Sequence, residues 1–252
     1  MQAGQRQQTI LELIDARGQV TIADLSARFA VSEMTVRRDL AQLNDEGLVR
    51  RTHGGAARAA GGSVEPPFAM RARLNVDAKR AIAARVARHL TDGQTVILDG
   101  GTTGVAIAEA LVGRELTVCA LNIRVAQVLS SSPAGRLMIP GGVIRHGELS
   151  LSGSAAERTL ADHRFDTYVM TISAVDVTAG LTEWNLEDAA IKRKALTAAT
   201  QCIVACDSSK FGQTAFARVA GLDAADLLIT DVDLPDTHRQ AVLAAGTVLH
   251  IA

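Results

Sequence analysis

Apolar positions along this chain change their period once, near residue 58. Before that point they recur every three to four residues, the spacing of amphipathic helices. Ile10, Leu11, Leu13 and Ile14 share one face of a helix that stops at Gly18; Ile22, Leu25 and Phe29 do the same for a second helix, and Met34, Val36, Leu40 and Leu43 for a third. Thr21 and Ser32 stand at the starts of the second and third helices, where a hydroxyl can accept hydrogen bonds from unpaired first-turn amides. Only Ala30 and Val31 separate those two helices, which is the tight corner of a helix-turn-helix. The third helix runs into "LVRRTHGGA", an apolar pair, an arginine pair and a Gly-Gly turn able to close a small hairpin. Residues 1–57 therefore read as a winged helix-turn-helix domain. Residues 58–74 read as a linker, because Gly61-Gly62 and Pro66-Pro67 interrupt any period, with Phe68 available to pack on the second domain.

From residue 75 the apolar residues come as short unbroken runs: "QTVILD", "LTVCAL", "RLMIP", "TYVMTIS", "QCIVACD", "LLITD" and "TVLHI", several of them separated by helical segments such as "DAKRAIAARVARHL" and "VAIAEALV". Continuous apolar strands alternating with helices predict a mostly parallel sheet covered on both faces, a Rossmann-like α/β domain over residues 75–252.

Composition narrows the class without choosing a function. With 252 residues, 48% hydrophobic and 21% charged, the chain is an ordinary globular protein. Met1 to Gly18 is polar, and no apolar run approaches the length of a bilayer span, so a cytoplasmic protein without membrane association is expected. Cys119, Cys202 and Cys206 form no CxxC pair and are expected to be packed thiols. His89, His146, His163, His238 and His250 show no metal-ligand spacing, so no metal is expected.

The net charge of −1 neither requires nor excludes nucleic acid, because an electrostatic footprint can occupy one face. With its apolar face committed to the core, the third helix leaves Ser32, Glu33, Thr35, Arg37 and Arg38 on its exposed amino-terminal half, where a recognition helix carries the side chains that reach base edges and phosphates. Arg50, Arg51 and His53 would lie along the wing, close to the flanking backbone. Arginine suits both positions, since its planar fork matches guanine O6/N7 or a phosphate bidentately. A lone arginine doublet would sooner be a solvated face paired with Asp39, Asp45 and Glu46; the short turn and the wing in register shift the reading to DNA. Residues 1–60 carry eight Lys/Arg against seven Asp/Glu, so one copy should bind weakly and dimerisation is expected.

In parallel sheets ligands sit beyond the carboxyl ends of the strands. The first such place holds Asp99-Gly100-Gly101-Thr102-Thr103-Gly104, where glycines, two hydroxyls and a following helix amino terminus can cradle a phosphate. It is neither GxxxxGK[ST] nor GxGxxG, which argues against ATP and NAD, and no cofactor is expected. Other strand ends supply Asn122, Gly141-Gly142, Arg145, Ser173, Asp176, Asp207, Ser208 and Lys210, while a turn and helix carry Trp184, Asn185, Glu187 and Lys192. A lysine at a strand end suits a phosphate as a point charge.

"RQQTILELIDARGQVTIADLSARFAVSEMTVRRDLAQLNDEGLVRRTHGGA", with its S-x-M-T-[VI]-R-R-D-L core and R-x-H-G-G ending, closely resembles the amino-terminal domain of the DeoR family of bacterial transcriptional repressors. "LDGGTTGVAIAEAL", "PGG…LSLSG", "FDTYVMTISAVD…GLTEWNLEDAAIKRKAL" and "DSSKFG" resemble that family's effector domain in order and spacing, so the likeness spans nearly the whole chain. The resemblance implies that Ser32, Thr35, Arg37 and Arg38 face operator DNA. It implies a carboxy-terminal domain similar in fold to ribose-5-phosphate isomerase that senses a phosphorylated sugar or related metabolite. The implied pocket comprises Asp99, Gly101, Thr102, Thr103, Asn122, Asp176, Glu187, Lys192 and Lys210. Two departures from the family pattern bear on which metabolite fits: Gly104 replaces a frequent third hydroxyl residue, and Thr171-Ile172-Ser173-Ala174 replaces a Gly-x-x-Gly.

The expectation is a repressor of a carbohydrate-metabolism operon, homo-oligomeric as a dimer or tetramer, released by its effector. The rival is a sugar-phosphate isomerase-like enzyme. That chemistry needs a carboxylate base at the substrate, and "GLTEWNLED" lacks the glycine-rich lysine turn that isomerases of this fold place before theirs.

Overall fold

The computed structural model describes residues 3–45, 48–58 and 65–252. The chain folds as two compact units, 1–74 and 75–252. The Ala59-to-Val64 part of the expected linker, and Glu46 in the third helix's expected ion-pair set, lie outside the described residues.

In the first unit α1 (Ala3–Arg17), α2 (Ile22–Phe29) and α3 (Glu33–Asp45) are joined by a short strand and followed by a hairpin. Thr21 caps α2 by accepting the Asp24 amide at 3.1 Å, and Ala30 ends that helix in a left-handed conformation, φ 51°, which turns the chain sharply into α3. Ile10, Ile14, Leu25, Val36, Leu40 and Leu43 are almost wholly buried together, the small core that the three-to-four spacing predicts.

One assignment from the pattern is overturned. Met34 does not join that core: it is 67% exposed, because it lies two residues from the buried Val36 and so on the far side of the helix. Its place on the inner face is taken by Asp39. This carboxylate is buried and accepts two hydrogen bonds from Arg6 of α1, from Nε at 2.5 Å and from a terminal nitrogen at 3.1 Å. The hydrogen bond to Asp39 raises the Arg6 pKa despite the opposing effect of burial.

The wing has three strands where a hairpin was expected. β1 (Gln19–Thr21), β2 (Val49–Thr52) and β3 (Gly55–Arg58) pair in the order β1-β3-β2, all antiparallel. The turn falls on His53-Gly54. Gly55 is already in β3, where a Cβ would collide with the Val20 carbonyl of β1, so this glycine serves close strand approach. A short helix, α4 (Phe68–Arg71), completes the unit. Met70 packs on the same core, the Gln8 amide donates to the Arg73 carbonyl at 2.8 Å, and the Arg71 guanidinium sits 6.0 Å from the Phe68 ring.

The second unit contains, in chain order, α5 (Val76–His89), β4 (Thr95–Leu98), α6 (Gly101–Leu111), β5 (Thr117–Ala120), α7 (Ile123–Leu129), β6 (Arg136–Met138), β7 (Val143–Ile144) and β8 (Leu151–Ser152). These are followed by α8 (Ser154–Ala161), β9 (Phe165–Thr171), β10 (Ala174–Asp176), β11 (Gly180–Glu183), α9 (Leu186–Ala198), β12 (Ala199–Ala205), β13 (Ala217–Ala220), β14 (Leu227–Thr230), α10 (Asp236–Ala244) and β15 (Val248–Ile251). The seven expected strands form one sheet, order β15-β14-β12-β9-β4-β5-β6, every neighbouring pair parallel.

Successive strand residues face opposite sides. Val96 and Leu98 therefore pack with Ile82, Ile107 and Val125 of α5, α6 and α7, while Ile97 and Tyr168 pack with Leu160, Ile191 and Val242 of α8, α9 and α10. Cys119, Cys202 and Cys206 are free and buried as expected, and burial pushes the thiols of Cys119 and Cys202 up to about 12. The strand order reverses between β4 and β9, which marks the crevice where doubly wound sheets bind ligands. A small antiparallel sheet, order β10-β11-β13, lies beside it in sequence and is connected to it through β9 and α9.

Candidate functional site

Two sites emerge, one in each unit. In the first, α3 and the residue before it present Ser32, Arg37 and Arg38 exposed and Thr35 half-buried. Ser32 and Thr35 are bonded to each other, hydroxyl to hydroxyl at 3.0 Å, and Ser32 Oγ also accepts the Thr35 amide at 3.2 Å, so both are engaged in starting the helix. Arg37 makes a long, exposed contact to Glu33 at 3.4 Å, one turn earlier. Such a pair contributes little in water and yields readily to a phosphate.

Arg38, Arg50 and Arg51 form no ion pair among the described residues. Asp39, offered by the sequence as a surface partner for the arginines, is sequestered by Arg6. The Asn44 side chain accepts the Arg51 backbone amide at 3.2 Å, tying the carboxyl-terminal part of α3 to β2. His53 is exposed at the wing turn. A helix face and a wing thus offer three cations, Arg38, Arg50 and Arg51, that form no ion pair among the described residues, beside Arg37 with its exposed one.

The second site lies at the reversal between β4 and β9. Asp99 follows β4 and is buried. Its carboxylate accepts the Tyr168 hydroxyl at 3.1 Å, the Thr171 amide at 3.2 Å, the Gly100 amide at 2.8 Å and the Lys192 ammonium. Lys192, on α9, donates also to the Thr171 carbonyl at 2.7 Å and pairs with Glu183 at 3.2 Å. Burial alone would lower the Lys192 pKa, but the facing Asp99 and then Glu183 outweigh it and raise it. Burial, and then Asp99, push the Tyr168 phenol well up. Glu183 is held in turn by the Ser173 hydroxyl at 2.6 Å and the Ser173 amide at 3.2 Å. Two carboxylates and one ammonium therefore pin β4, β9, β11 and α9 together below the glycine loop.

Above this network, Gly101 adopts φ 71° and opens α6, with Thr102 half-buried and Thr103 buried in its first turn. Neither threonine hydroxyl has a hydrogen-bond partner among the described residues. Close packing explains two glycines of the loop. A Cβ on Gly100 would sit 2.7 Å from Asn122 Nδ2, and one on Gly104 would collide with the Asp99 carbonyl. The departure at Gly104 is thus built into the approach of α6 to β4. Asn122 is fully buried and occupied: it caps α7 by accepting the Arg124 amide at 2.8 Å and donates to the Glu148 carbonyl at 2.9 Å.

Lys210 stands half-buried in the 3-10 turn Ser208–Lys210 after β12, without an ion pair among the described residues. Burial pushes the neighbouring Asp207 carboxyl up, but Lys210, with hydrogen bonds from Ser209 and Asn75, outweighs it and leaves the group below its ordinary range. Glu187 is exposed in the first turn of α9, 3.4 Å from the Ser152 hydroxyl. Asp176 is placed elsewhere, accepting the Thr178 and Ala179 amides at 2.8 Å in the β10–β11 turn, at the opposite end of that hairpin from Ser173 and Glu183.

Tyr168 and Glu183 were not singled out by the sequence, and Thr171 was noted there only as part of a departure from the family pattern. Glu183 left one trace: it ends "GLTE", a strand buried along its whole length, where a carboxylate needs a partner. A second tie also went unseen, in which Arg145 donates to Asp188 at 2.6 Å and Ser150 to the same carboxylate at 2.8 Å, fastening the β7–β8 hairpin to α9.

Residues 74–232 match the model of the DeoR C terminal sensor domain, and residues 6–60 that of the DeoR-like helix-turn-helix domain. The chain belongs to the DeoR family. The DeoR-type chain is 34% identical over 242 residues to the uncharacterized HTH-type transcriptional regulator YulB of Bacillus subtilis, covering 96% of this chain and 94% of that one. It is 31% identical to the glycerol-3-phosphate regulon repressor of Escherichia coli, with 96% of each chain covered. Ribose 5-phosphate isomerase A from Neisseria gonorrhoeae overlaps 53% of this DeoR-family chain and 52% of its own, at TM-score 0.40 and 12% identity, a level that identifies neither substrate nor activity. No helix among the described residues is long and apolar enough to cross a membrane.

Proposed function

We propose that this DeoR-family regulator is a repressor of a carbohydrate-metabolism operon that leaves its operator when a phosphorylated sugar or related metabolite binds the second unit. The observation that carries the reading is the set of uncompensated cations on α3 and the wing: Arg38, Arg50 and Arg51 have no ion-pair partner among the described residues, and Arg37 has only an exposed one. Ser32, Thr35, Arg37 and Arg38 face the major groove, and Arg50, Arg51 and His53 grip the flanking backbone. One copy carries too few cations to hold DNA alone. The protein acts in the cytoplasm as a dimer or tetramer that sets paired recognition helices about 34–36 Å apart, one helical turn of DNA.

The effector's phosphate sits on the first-turn amides of α6, with Gly101, Thr102, Thr103 and Lys210 as donors and Glu187 toward the rim, while Asp176 stays in its turn. Asp99, Lys192 and Asn122 shape this pocket from below, since their polar atoms are already bonded. Lys192 and N–H and O–H donors saturate Asp99 and Glu183, and the exposed Glu187 follows "GLTEWN", which lacks the glycine-rich lysine turn that isomerases of this fold place before their base; both favour binding without turnover over the isomerase alternative.

Single substitutions separate the roles. Arg37→Ala should cost about 1–3 kcal/mol on the preferred duplex and relax its base preference, whereas Arg51→Ala should weaken all duplexes alike and flatten the salt slope by about one unit. Identical, sequence-independent losses for both would remove Arg37 from base readout.

A further inference from the structure

Met34 has no structural reason to be where it is. It is as exposed as any large apolar side chain among the described residues, at 67%. At about 100° per residue, Met34 lies roughly 160° around α3 from the buried Val36, and Arg38 roughly 160° around in the other sense. The two therefore stand within about 40° of each other on the side away from the core, flanked by Arg37 and Thr35. Met34 is thus at the middle of the face that carries the arginines. Ser32 and Thr35 are engaged with each other in the cap, and Arg37 and Arg38 are charged. Met34 alone on this face has nothing to offer a phosphate.

An apolar side chain held in water gains only when an apolar surface covers it. Along the floor of the major groove, the one apolar feature of a base edge is the C5 methyl of thymine. Methionine suits the contact, being unbranched and able to adapt its rotamer to a shallow target. We propose that Met34 reads a thymine methyl in each operator half-site and is a specificity-determining residue of the DNA interface. This rests on the operator-binding reading above.

The experiment starts from sequences that the full-length wild-type protein enriches from a randomised duplex pool. Each thymine of the enriched site is then replaced singly by deoxyuridine, which removes the methyl and keeps every hydrogen bond, and binding is followed by fluorescence anisotropy at fixed salt. One thymine per half-site should be sensitive in the wild type. Burial of a single methyl sets the loss at about fourfold per half-site. Met34→Ala should lose a similar factor on the thymine duplex and be indifferent to deoxyuridine there, and Met34→Leu should restore much of the sensitivity.

Equal losses for Met34→Ala on thymine and deoxyuridine duplexes would overturn the proposal while leaving operator binding intact. So would a change of oligomeric state in Met34→Ala, which would show that another protein surface covers the side chain. If the wild type enriches no sequence, the operator reading fails and the proposal fails with it. Thermal unfolding should be unchanged in both variants, since Met34 touches no core.

Discussion

Replacing Lys192 by methionine isolates the network beneath the glycine loop. The side chain keeps its length and loses its charge, leaving Asp99 and Glu183 buried without their shared ammonium. Removing one partner of a buried ion pair costs about 3–5 kcal/mol. Here the lower end applies, because Asp99 retains donors from Tyr168, Thr171 and Gly100, and Glu183 retains two from Ser173. At roughly 2–4 °C per kcal/mol for a chain of this size, the melting temperature should fall by about 6–12 °C.

Differential scanning calorimetry of both proteins at pH 7 measures the gap. A deficit below about 2 °C would refute the argument that Lys192 holds two buried carboxylates.

The same contacts predict three further outcomes. Asp39→Ala leaves Arg6 buried without this carboxylate, so it should cost about 3–5 kcal/mol in urea unfolding, and most of that loss should return in the Arg6→Met/Asp39→Leu double variant. Gly55→Ala places a Cβ against the Val20 carbonyl, so β1 and β3 must part; a cost of about 1–3 kcal/mol is expected, with weaker binding to all duplexes because the wing shifts. The Asp207 carboxyl is held below its ordinary range, so its contribution is present above about pH 4 and is lost as pH falls through the folded value. Asp207→Asn should therefore be less stable than wild type at pH 7 and approach it at pH 3 in matched thermal melts.

What the sequence disclosed was whatever leaves a local pattern. The seven parallel strands were legible because strands buried on both faces are unbroken apolar runs, and the helix-turn-helix because two caps and a two-residue joint fix its corner. Gln19–Thr21 was not, since three residues are too few to show a period. Hydrophobicity places Met34 in the core because it is apolar and near Val36. The helical angle argues otherwise, and it points equally at Asp39, three residues past Val36 and four before Leu43. Arg6, four residues before Ile10, lies on the apolar face of α1 in the same way. A charged residue in register with core positions on each of two helices is a sign that they meet.

The strand-end site was legible as a location, because ligands of parallel sheets sit beyond the carboxyl ends of strands and a glycine-rich loop follows the run "TVIL". Its internal wiring was not. Lys192 reaches Asp99 across 93 positions and shares it with Tyr168 and Glu183, and no local spacing encodes such a meeting. Asp176 groups with the site by its place after a strand, but its carboxylate closes a turn. The resemblance to the family supplied names for pocket residues; the structure divides them into those already bonded within the fold and those, Thr102, Thr103 and Lys210, still free to bond.

The central claim is that one chain couples operator binding to a phosphorylated metabolite. The most direct measurement is fluorescence anisotropy of a labelled duplex from upstream of its own gene, titrated with full-length protein at fixed salt, with and without a panel of sugar phosphates and their parent sugars. Selective binding over random duplex, released by one phosphate ester and not by its unphosphorylated sugar, is the predicted result. Binding that no phosphate ester alters, or no preference over random DNA, would contradict it.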